Sequence, residues 1–600
     1  MAEKRTIFCL FLFCFLSGTG RTQSARNDPS PWTCRDALGR TVGTSERYGA
    51  LRPGKAVGIF YFIWHGAHGY DRHAAPASDQ SVRPPSAADT ASPYDIQKIL
   101  DADPRCPQYG PDQAFHHWGE PYLGYYTADD RWVIRRHAQM LSDAGIDVII
   151  LDATNGLAYL PQVKTLCDEY RRMRAEGSRT PQIAFILNSA AASVLKKLTD
   201  EFYGPELYRE LWFEWKGKPL LLCPPEAVTP QAAEFFTIRH SWFCSHWEWF
   251  GDGRDKWPWA DFYPQKAGWH ESPDKPECVA VAAATLALAN RGRSFHRDTQ
   301  PDAAHCRSGE GLCFAEQFSR AMELDPEFIF FTGWNEWVAM RYTDGGATEM
   351  LGKPISKGDT YFVDNYNHEF SRDIEPLRGD FGDNYYYQLC DFIRRFKGVE
   401  PQPVHRLRHA MRPGRIASWR QVGASYADDR GDTFHRDHYG YGSAGRYVNT
   451  TGRNDFVESK VATDGKNIYF YIRTQEPVTP RTDSLWMRLF VGLPESGSAD
   501  WEGFRFRINA RPGADGLTSL ERSKGGWRWE TVARVPYCKA GCEMSVAVPL
   551  RELGIRNADD FAVDFKWIDN AVAGGDIREC LTDGDAAPGG RFRYRYRFRR

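Results

Sequence analysis

Runs of apolar residues alternate with amphipathic segments over the first two thirds of the chain. Residues 56–64, 146–152 and 328–332 are nearly continuous apolar runs, a pattern typical of strands buried on both faces of a parallel sheet. Between such runs, segments such as 129–144 place apolar side chains at helical spacing and end at Gly145, a residue that commonly stops helices. Strands separated by helices of this length predict right-handed β–α–β units and a parallel sheet.

Seven or eight such units before about residue 400 predict a closed (β/α)8 barrel of the TIM type rather than an open sheet. The glycine-rich fingerprint of dinucleotide-binding folds is absent after the first strand, which disfavours a Rossmann-type enzyme. Further strands are predicted at 183–187, 220–223, within 240–249 and from 278, and further helices at 157–174, 190–203, 314–323 and 382–397.

The pattern changes near Val399. Prolines and a glycine mark a linker over 401–420, and beyond it short alternating segments at sandwich-like spacing predict an all-β sandwich over 421–600. The terminal stretch 591–598 alternates arginine with aromatic residues, so one face of that strand would be aromatic and the other basic. The strands are predicted at 467–472, 485–491, 504–508, 527–532, 544–548 and 561–567.

The N-terminus predicts export. Lys4 and Arg5 precede an apolar run over 6–17, and small or polar residues follow up to about Ala25, as in a secretory signal peptide. The apolar run is too short for a comfortable membrane span. We therefore expect a signal peptide over 1–25, a barrel over 26–400, and a secreted or periplasmic protein that leaves the membrane after cleavage.

Composition narrows the class of partner. A formal net charge of -2 gives no reason to expect nucleic acid or an anionic membrane, and it leaves the oligomeric state open. None of the 14 cysteines forms a Cys/His cluster with zinc-ligand spacing, so no metal site is expected from them. Cys538 with Cys542, or Cys306 with Cys313, are spaced closely enough to form small disulfide loops, although spacing alone leaves the connectivity open.

One acid stands out at the end of an apolar run. The stretch 328–337 ends in Gly333 and then sets Glu336 beside Asn335 and between the indoles of Trp334 and Trp337. Residues just past the end of a barrel strand are where such folds keep their chemistry. A carboxylate beside an amide and indole faces suits sugar binding. The alternative is a core strand followed by a helix-capping turn.

Other polar residues also follow predicted strands directly, and in a parallel barrel these positions converge on one mouth. Glycoside cleavage needs two carboxyl groups, one that protonates the leaving oxygen and one that acts as base or nucleophile. Glu336 is the first catalytic candidate and Asp152 the second, followed by Glu120; for each, a salt bridge or a helix cap is the structural alternative. The polar residues at strand ends are His65, Asp152, Asn188, Glu248 and Glu336.

The stretches 332–337 and 370–376 resemble the barrel-end signatures of the clan that holds glycoside hydrolase families 99 and 71, and more closely those of uncharacterised secreted family 99-like proteins. The resemblance covers roughly residues 50–400. Family 99 enzymes are endo-acting α-mannosidases in which the glutamate of this turn and a second one three positions later carry catalysis. The first matches Glu336, but the second falls on Ala339, which cannot transfer a proton. The partner acid would then be another residue such as Asp152 or Glu120, or the barrel no longer hydrolyses anything.

The resemblance also implies a substrate wall, with packing around the barrel rim as the alternative for each aromatic residue. Arg372 with Asp373 fits a rim ion pair better than a substrate contact. The expected substrate-binding residues are Asn335, Trp334, Trp337, His65, His116, His117, Tyr125, Tyr126, Asn188 and Glu248.

The second domain resembles β-sandwich carbohydrate-binding modules of the family 9 type, through stretches 466–471 and 501–504. The resemblance implies a sugar platform among its tryptophans and leaves calcium possible in this domain; no other cofactor is expected.

Together these patterns predict a secreted glycoside hydrolase that cleaves glycosidic bonds of an oligo- or polysaccharide by carboxylate acid/base catalysis. The runner-up hypothesis is a non-catalytic polysaccharide-binding protein that uses the same cleft. A third hypothesis, a metal-dependent hydrolase built on His65, His116 and His117, is weaker because no close ligand pattern accompanies these residues.

Overall fold

The structure is a computed structural model that describes residues 29–67, 96, 115–379, 381–412, 415–442, 444–494 and 500–600. The expected signal peptide over 1–25 lies outside these residues, as does most of the long segment that precedes His116. Within the described ranges, no helix has the length and apolarity that a membrane span requires.

The region up to about residue 400 is a mixed α/β structure around one curved sheet. Its parallel strands pair in the order β7-β6-β4-β3-β1-β10-β9. The strands of this region are β1 (Ala56–Tyr61), β2 (Phe115–His117), β3 (Val148–Ala153), β4 (Gln182–Leu187), β5 (Glu214–Trp215), β6 (Lys218–Leu222), β7 (Thr237–Arg239), β8 (Gly268–Trp269), β9 (Pro276–Ala282), β10 (Phe328–Thr332), β11 (Val338–Tyr342), β12 (Glu349–Met350), β13 (Lys353–Pro354) and β14 (Tyr361–Phe362).

Helices connect these strands, as the periodicity predicts. The second helix begins after Asp130, whose carboxylate accepts hydrogen bonds from the amides of Trp132 and Val133, and it ends at Gly145, which adopts the left-handed conformation. An acidic N-cap and a terminal glycine satisfy the otherwise unpaired groups at the two ends of a helix. The helices are α1 (Ser45–Tyr48), α2 (Arg131–Ala144), α3 (Leu160–Glu176), α4 (Ala191–Leu198), α5 (Pro230–Phe235), α6 (Leu312–Leu324) and α7 (Asn384–Lys397).

The strand order follows the chain around the sheet, as it would in a (β/α)8 barrel, but the strand pairings among the described residues do not close it. Between β7 and β9 lie only the short antiparallel strand β8 and three isolated parallel bridges, which join His240 to Lys256, Phe243 to Ala260 and Arg254 to Trp269. A closed barrel therefore remains a prediction. The strand predicted within 240–249 is wrong in position, because β7 ends at Arg239. The Trp249 indole donates to the carbonyls of Phe243 and Cys244, which folds that segment back on itself.

The region from residue 404 onward is rich in β-structure, and its described helical turns are short 3-10 turns. One antiparallel sheet runs β15-β28-β26-β21-β22-β23-β24-β25-β20-β19-β16, apart from a parallel contact between β15 and β28. Its strands are β15 (Val404–His405), β16 (Ser425–Ala427), β17 (Arg436–Tyr439), β18 (Arg446–Asn449), β19 (Phe456–Thr463), β20 (Asn467–Thr474), β21 (Arg488–Gly492), β22 (Phe506–Ile508), β23 (Leu517–Ser523), β24 (Trp529–Ala540), β25 (Glu543–Pro549), β26 (Asp560–Asp569), β27 (Asp585–Ala587) and β28 (Tyr594–Arg599).

Strand β28 confirms the alternation predicted for the end of the chain. Tyr594, Tyr596 and Phe598 are buried in the core of the β-rich region. Arg595 and Arg597 on the other face form ion pairs with Asp564 and Asp560 of β26. The basic face is thus neutralised within the sheet.

The two regions are in contact. The β17–β18 hairpin lies on the α/β region, where Arg436 forms a buried ion pair with Asp130 at 2.8 Å and donates to the Leu123 carbonyl. In the described part of the chain every cysteine is a free thiol, so the two small disulfide loops considered above are not formed.

Candidate active site

Glu336 lies directly after β10, and the neighbouring Asn335 fixes the turn that carries it. The Asn335 side chain accepts a hydrogen bond from the Phe62 amide at 2.9 Å and donates to the Phe62 carbonyl at 3.1 Å. It therefore extends the β1–β10 pairing by one step beyond the backbone ladder. The Glu336 carbonyl accepts bonds from the side chains of Trp118 and Asn365. These contacts hold Glu336 at the carboxyl end of the sheet.

The carboxyl group of Glu336 is buried and strongly polarised. Its Oε2 accepts hydrogen bonds from Arg372 Nη2 at 2.6 Å and from Asn365 Nδ2 at 2.8 Å, whereas Oε1 accepts none from any described residue. Burial raises the pKa of Glu336 well above its usual range; Arg372 opposes this, and the charges of Asp364 and Asp373 add to it. Glu336 therefore keeps its proton at pH values at which an exposed glutamate has lost it.

A cleft of about 220 Å³ opens beside Glu336. It lies between the ends of the parallel strands and a three-stranded sheet, β14-β11-β2, formed by the segments around Ala339 and Asp364. Aromatic and carboxylate groups share its wall, which suits a ligand with both apolar faces and hydroxyl groups. The lining residues are Trp64, Phe115, Asn155, Glu336, Ala339, Met340, Tyr342, Val363 and Asp364.

Asp364 supplies a second carboxyl group in the same cleft. Its side chain is 40% exposed, and its Oδ1 lies 3.4 Å from Arg372 Nη1. Arg372 therefore contacts Glu336 and Asp364 with the two ends of one guanidinium group. Because a single planar group spans them, the two contacted oxygens lie closer than roughly 10 Å, the upper end of the separation used in glycoside cleavage.

Sequence reasoning missed Asp364. It follows β14, a two-residue strand that belongs to the small sheet rather than to the parallel one. The sequence around Asp364 shows only an acid and an asparagine after three apolar residues. This pattern is too common to identify a catalytic residue. The expected ion pair of Arg372 with Asp373 is replaced by the contacts with Glu336 and Asp364.

Asp152 is buried behind the cleft wall. Its Oδ2 accepts the Trp64 indole N–H at 2.7 Å, and its Oδ1 accepts bonds from the amide and hydroxyl of Thr154 at 2.9 and 2.7 Å. Burial raises its pKa, and these hydrogen bonds lower it. Since both oxygens are engaged, Asp152 is placed to orient the cleft residue Trp64.

The remaining predicted acids and Asn188 lie away from the cleft lining. Glu120 forms an ion pair with Arg378 at 3.1 Å, with both side chains substantially exposed. Glu248 is exposed in the 3-10 turn 248–250. Asn188 follows β4 and forms an isolated bridge with Ala190.

The predicted aromatic residues pack together next to the cleft. His65 stacks on Trp337 with ring centroids 4.7 Å apart, and Tyr125 and Tyr126 also contact that indole. Tyr126 donates to Glu375 at 2.7 Å. The cleft lining named above includes none of these four residues.

The other predicted substrate-binding residues with aromatic rings also pack against neighbouring side chains. Trp334 is fully buried between His137 and Tyr386. His116 is fully buried on β2, and His117 on the same strand packs on Tyr125.

The three histidines do not form a metal site in the described structure. His65, His116 and His117 belong to no group of three ligand atoms close enough to share an ion; among the described residues only Asp432, Asp455 and Asp585 do. His65 instead lies between the rings of Trp64 and Trp337.

No family profile and no curated protein matches the chain. Two matching solved structures are of the GH99 endo-alpha-mannosidase from Bacteroides thetaiotaomicron. One, in complex with bis-tris-propane, has 14% identity and a TM-score of 0.30, and the other has 16% identity and a TM-score of 0.31. Each match covers 57% of this chain and 97% of that chain. At these TM-scores the similarity assigns no activity, so the geometry of the site must carry the functional argument.

Proposed function

We propose that this protein is a glycoside hydrolase in which Glu336 and Asp364 act as the two catalytic carboxyl groups. The observation that carries the proposal is that both line one cleft and are contacted by the same guanidinium group, that of Arg372. Hydrolysis of a glycosidic bond requires two such carboxyl groups on either side of the bond.

The environments of the two acids support different roles. Glu336 is buried, its pKa is raised, and its Oε1 accepts no hydrogen bond from the described residues, so it suits the acid that protonates the leaving oxygen. Asp364 is partly open to solvent in the cleft, which suits the base or nucleophile. Arg372 and Asn365 would be positioning residues that hold both groups.

The cleft wall supports a carbohydrate as the substrate. The cleft lining beside Glu336 includes the aromatic side chains of Phe115 and Tyr342, and aromatic side chains are common in sites that bind the C–H faces of sugar rings. Asn155 adds an amide that can bond to hydroxyl groups. The hydrogen bond from Trp64 to Asp152 keeps that indole in one orientation.

The test is a panel of oligo- and polysaccharides assayed with the wild type, Glu336→Gln and Asp364→Asn. General acid or base catalysis contributes about 10²–10⁴ in rate, so each variant should lose at least about a hundredfold in kcat/KM while its circular dichroism stays unchanged. Glu248→Gln, which changes an exposed acid outside the cleft, is the matched control and should retain activity. Full activity of Glu336→Gln on a substrate that the wild type cleaves would refute the assignment.

A non-catalytic glycan-binding protein is the second candidate. It is favoured by Ala339, which lines the cleft at the position where the family resemblance places a second glutamate. Binding of a glycan by the wild type, weakened by Tyr342→Ala in the cleft lining but without release of product, would support this function over hydrolysis.

A further inference from the structure

A second constellation of acids, outside the cleft lining, lies where the β-rich region meets helix α2. Asp432, Asp455 and Asp585 each offer one carboxylate oxygen, and these oxygens all lie within 4.8 Å of one another. Asp432 lies in the loop before β17, Asp455 immediately precedes β19, and Asp585 begins β27. Three segments that are distant in sequence thus bring negative charge to one point.

Each of these carboxylates is oriented by a hydrogen bond to one oxygen only. Asp432 Oδ2 accepts from Gln139 Nε2 at 3.0 Å, Asp455 Oδ2 accepts from the Gly431 amide at 2.7 Å, and Asp585 Oδ2 accepts from the Phe456 amide at 2.5 Å. The Oδ1 atom of each is buried and has no hydrogen-bond partner among the described residues. Asp432 and Asp585 are only 7% and 3% exposed.

Three buried oxygens without partners are unusual, because native structures pair nearly all buried polar atoms. Arg136 lies 3.3 Å from Asp432 and contacts Oδ2, the oxygen that Gln139 also contacts. No described residue donates a hydrogen bond to the Oδ1 atom of any of the three carboxylates.

We propose that Asp432, Asp455 and Asp585 bind a calcium ion that fixes the junction between the β-rich region and helix α2. Hard oxygen ligands suit calcium or magnesium, and calcium accepts irregular sets of six to eight oxygens, whereas magnesium demands near-octahedral geometry. Asp428 adds a further buried oxygen without a partner, Oδ2, in the same neighbourhood. A cavity of about 50 Å³ lined by Asp428, Asp432 and Asp585 provides room for water as a further ligand.

The site links distant parts of the molecule. Asp432 Oδ2 accepts hydrogen bonds from Gln139 and Arg136 of α2. Four residues later the chain reaches Arg436, which is paired with Asp130 at the start of the same helix. Tyr441, in the turn of the β17–β18 hairpin, contacts Trp337 with ring centroids 5.0 Å apart. The calcium ion would therefore stabilise the hairpin that supports the aromatic residues behind the cleft, without taking part in the reaction.

The test is calcium binding by the full chain after removal of metal with a chelator. Isothermal titration with calcium chloride should show one ion per chain, and terbium luminescence should report the same site by competition with calcium. Saturating calcium should raise Tm by about 5 °C or more. Asp455→Asn should weaken calcium binding by about tenfold or more, whereas Asp437→Asn, an exposed acid on the neighbouring hairpin, should bind like the wild type.

Stability without metal gives an independent readout. In chelator the three carboxylates repel one another, so Asp455→Asn should be at least as stable as the wild type, and added calcium should reverse that order. A wild type that neither binds calcium nor gains thermal stability from it would overturn the proposal, as would an Asp455→Asn variant with wild-type affinity. Because neither measurement uses glycan hydrolysis, its outcome is separate from that of the proposed function.

Discussion

At the scale of single residues, the environment of a carboxyl group separates acids that look alike in sequence. Glu336 follows strand β10, Asp152 lies near the end of strand β3, and both are buried. Asp152 uses both oxygens in hydrogen bonds, whereas Glu336 leaves Oε1 without one from the described residues. Only the second arrangement leaves an atom for a substrate.

The pH dependence of activity follows from the raised pKa of Glu336. If Glu336 donates the proton, kcat/KM falls on the alkaline side as Glu336 ionises. The charge of Asp373 contributes to holding that proton, so Asp373→Asn should lower the pKa of Glu336 and move the alkaline limb to lower pH, by less than about one unit. A pH–rate profile of kcat/KM checks this. Glu248→Gln serves as the reference variant and should keep the wild-type pH profile. If the alkaline limb of Asp373→Asn lies at the same pH as in the wild type, Glu336 is not the proton donor.

At the scale of elements, the site depends on how β10 is tied to β1. The register sets Ile59 opposite both Phe331 and Ile149, which aligns the carboxyl ends of β1, β3 and β10. Asn335 then continues the pairing with its side chain. The small sheet β14-β11-β2 brings Asp364 into the cleft lining.

Asn335→Ala should therefore destabilise the protein as well as the site. It leaves the buried amide and carbonyl of Phe62 without their partners, at a cost of about 2 kcal/mol or more in the free energy of unfolding. Chemical denaturation measures this change. Asn188→Ala, which alters the same residue type at the end of β4, should cost less than about 1 kcal/mol. Equal losses in the two variants would contradict the bridging role of Asn335.

At the scale of the whole molecule, a buried ion pair joins the two regions. Arg436 and Asp130 are 5% and 1% exposed, and Asp130 also caps helix α2. Breaking one partner of a buried pair leaves an uncompensated charge.

Arg436→Ala should lower the unfolding free energy by about 3–5 kcal/mol and expose the β17–β18 hairpin to limited proteolysis. Arg446→Ala removes an exposed pair with Asp437 on the same hairpin and should leave the unfolding free energy nearly unchanged, because solvent screens exposed pairs. Denaturation curves and protease susceptibility of both variants provide the comparison. A loss as small in Arg436→Ala as in Arg446→Ala would show that the pair does not hold the regions together.

The sequence by itself determined the order and type of most elements. Buried parallel strands, capped helices and alternating β-strands each carry a local pattern with a period of its own, which is why β3, α2 and β28 lie close to their predicted positions. The same reasoning singled out Glu336, because an acid directly after an apolar run is a local signal.

Only the tertiary structure decided which groups meet. Asp364 reaches the cleft through the pairing of β14 with β11, and Asp432, Asp455 and Asp585 converge from three separate segments. Neither cluster of acids can be recognised from a periodic sequence pattern, because both depend on contacts between residues far apart in sequence. Burial, which distinguishes Glu336 from Glu120 and Glu248, is likewise a property of the packed molecule.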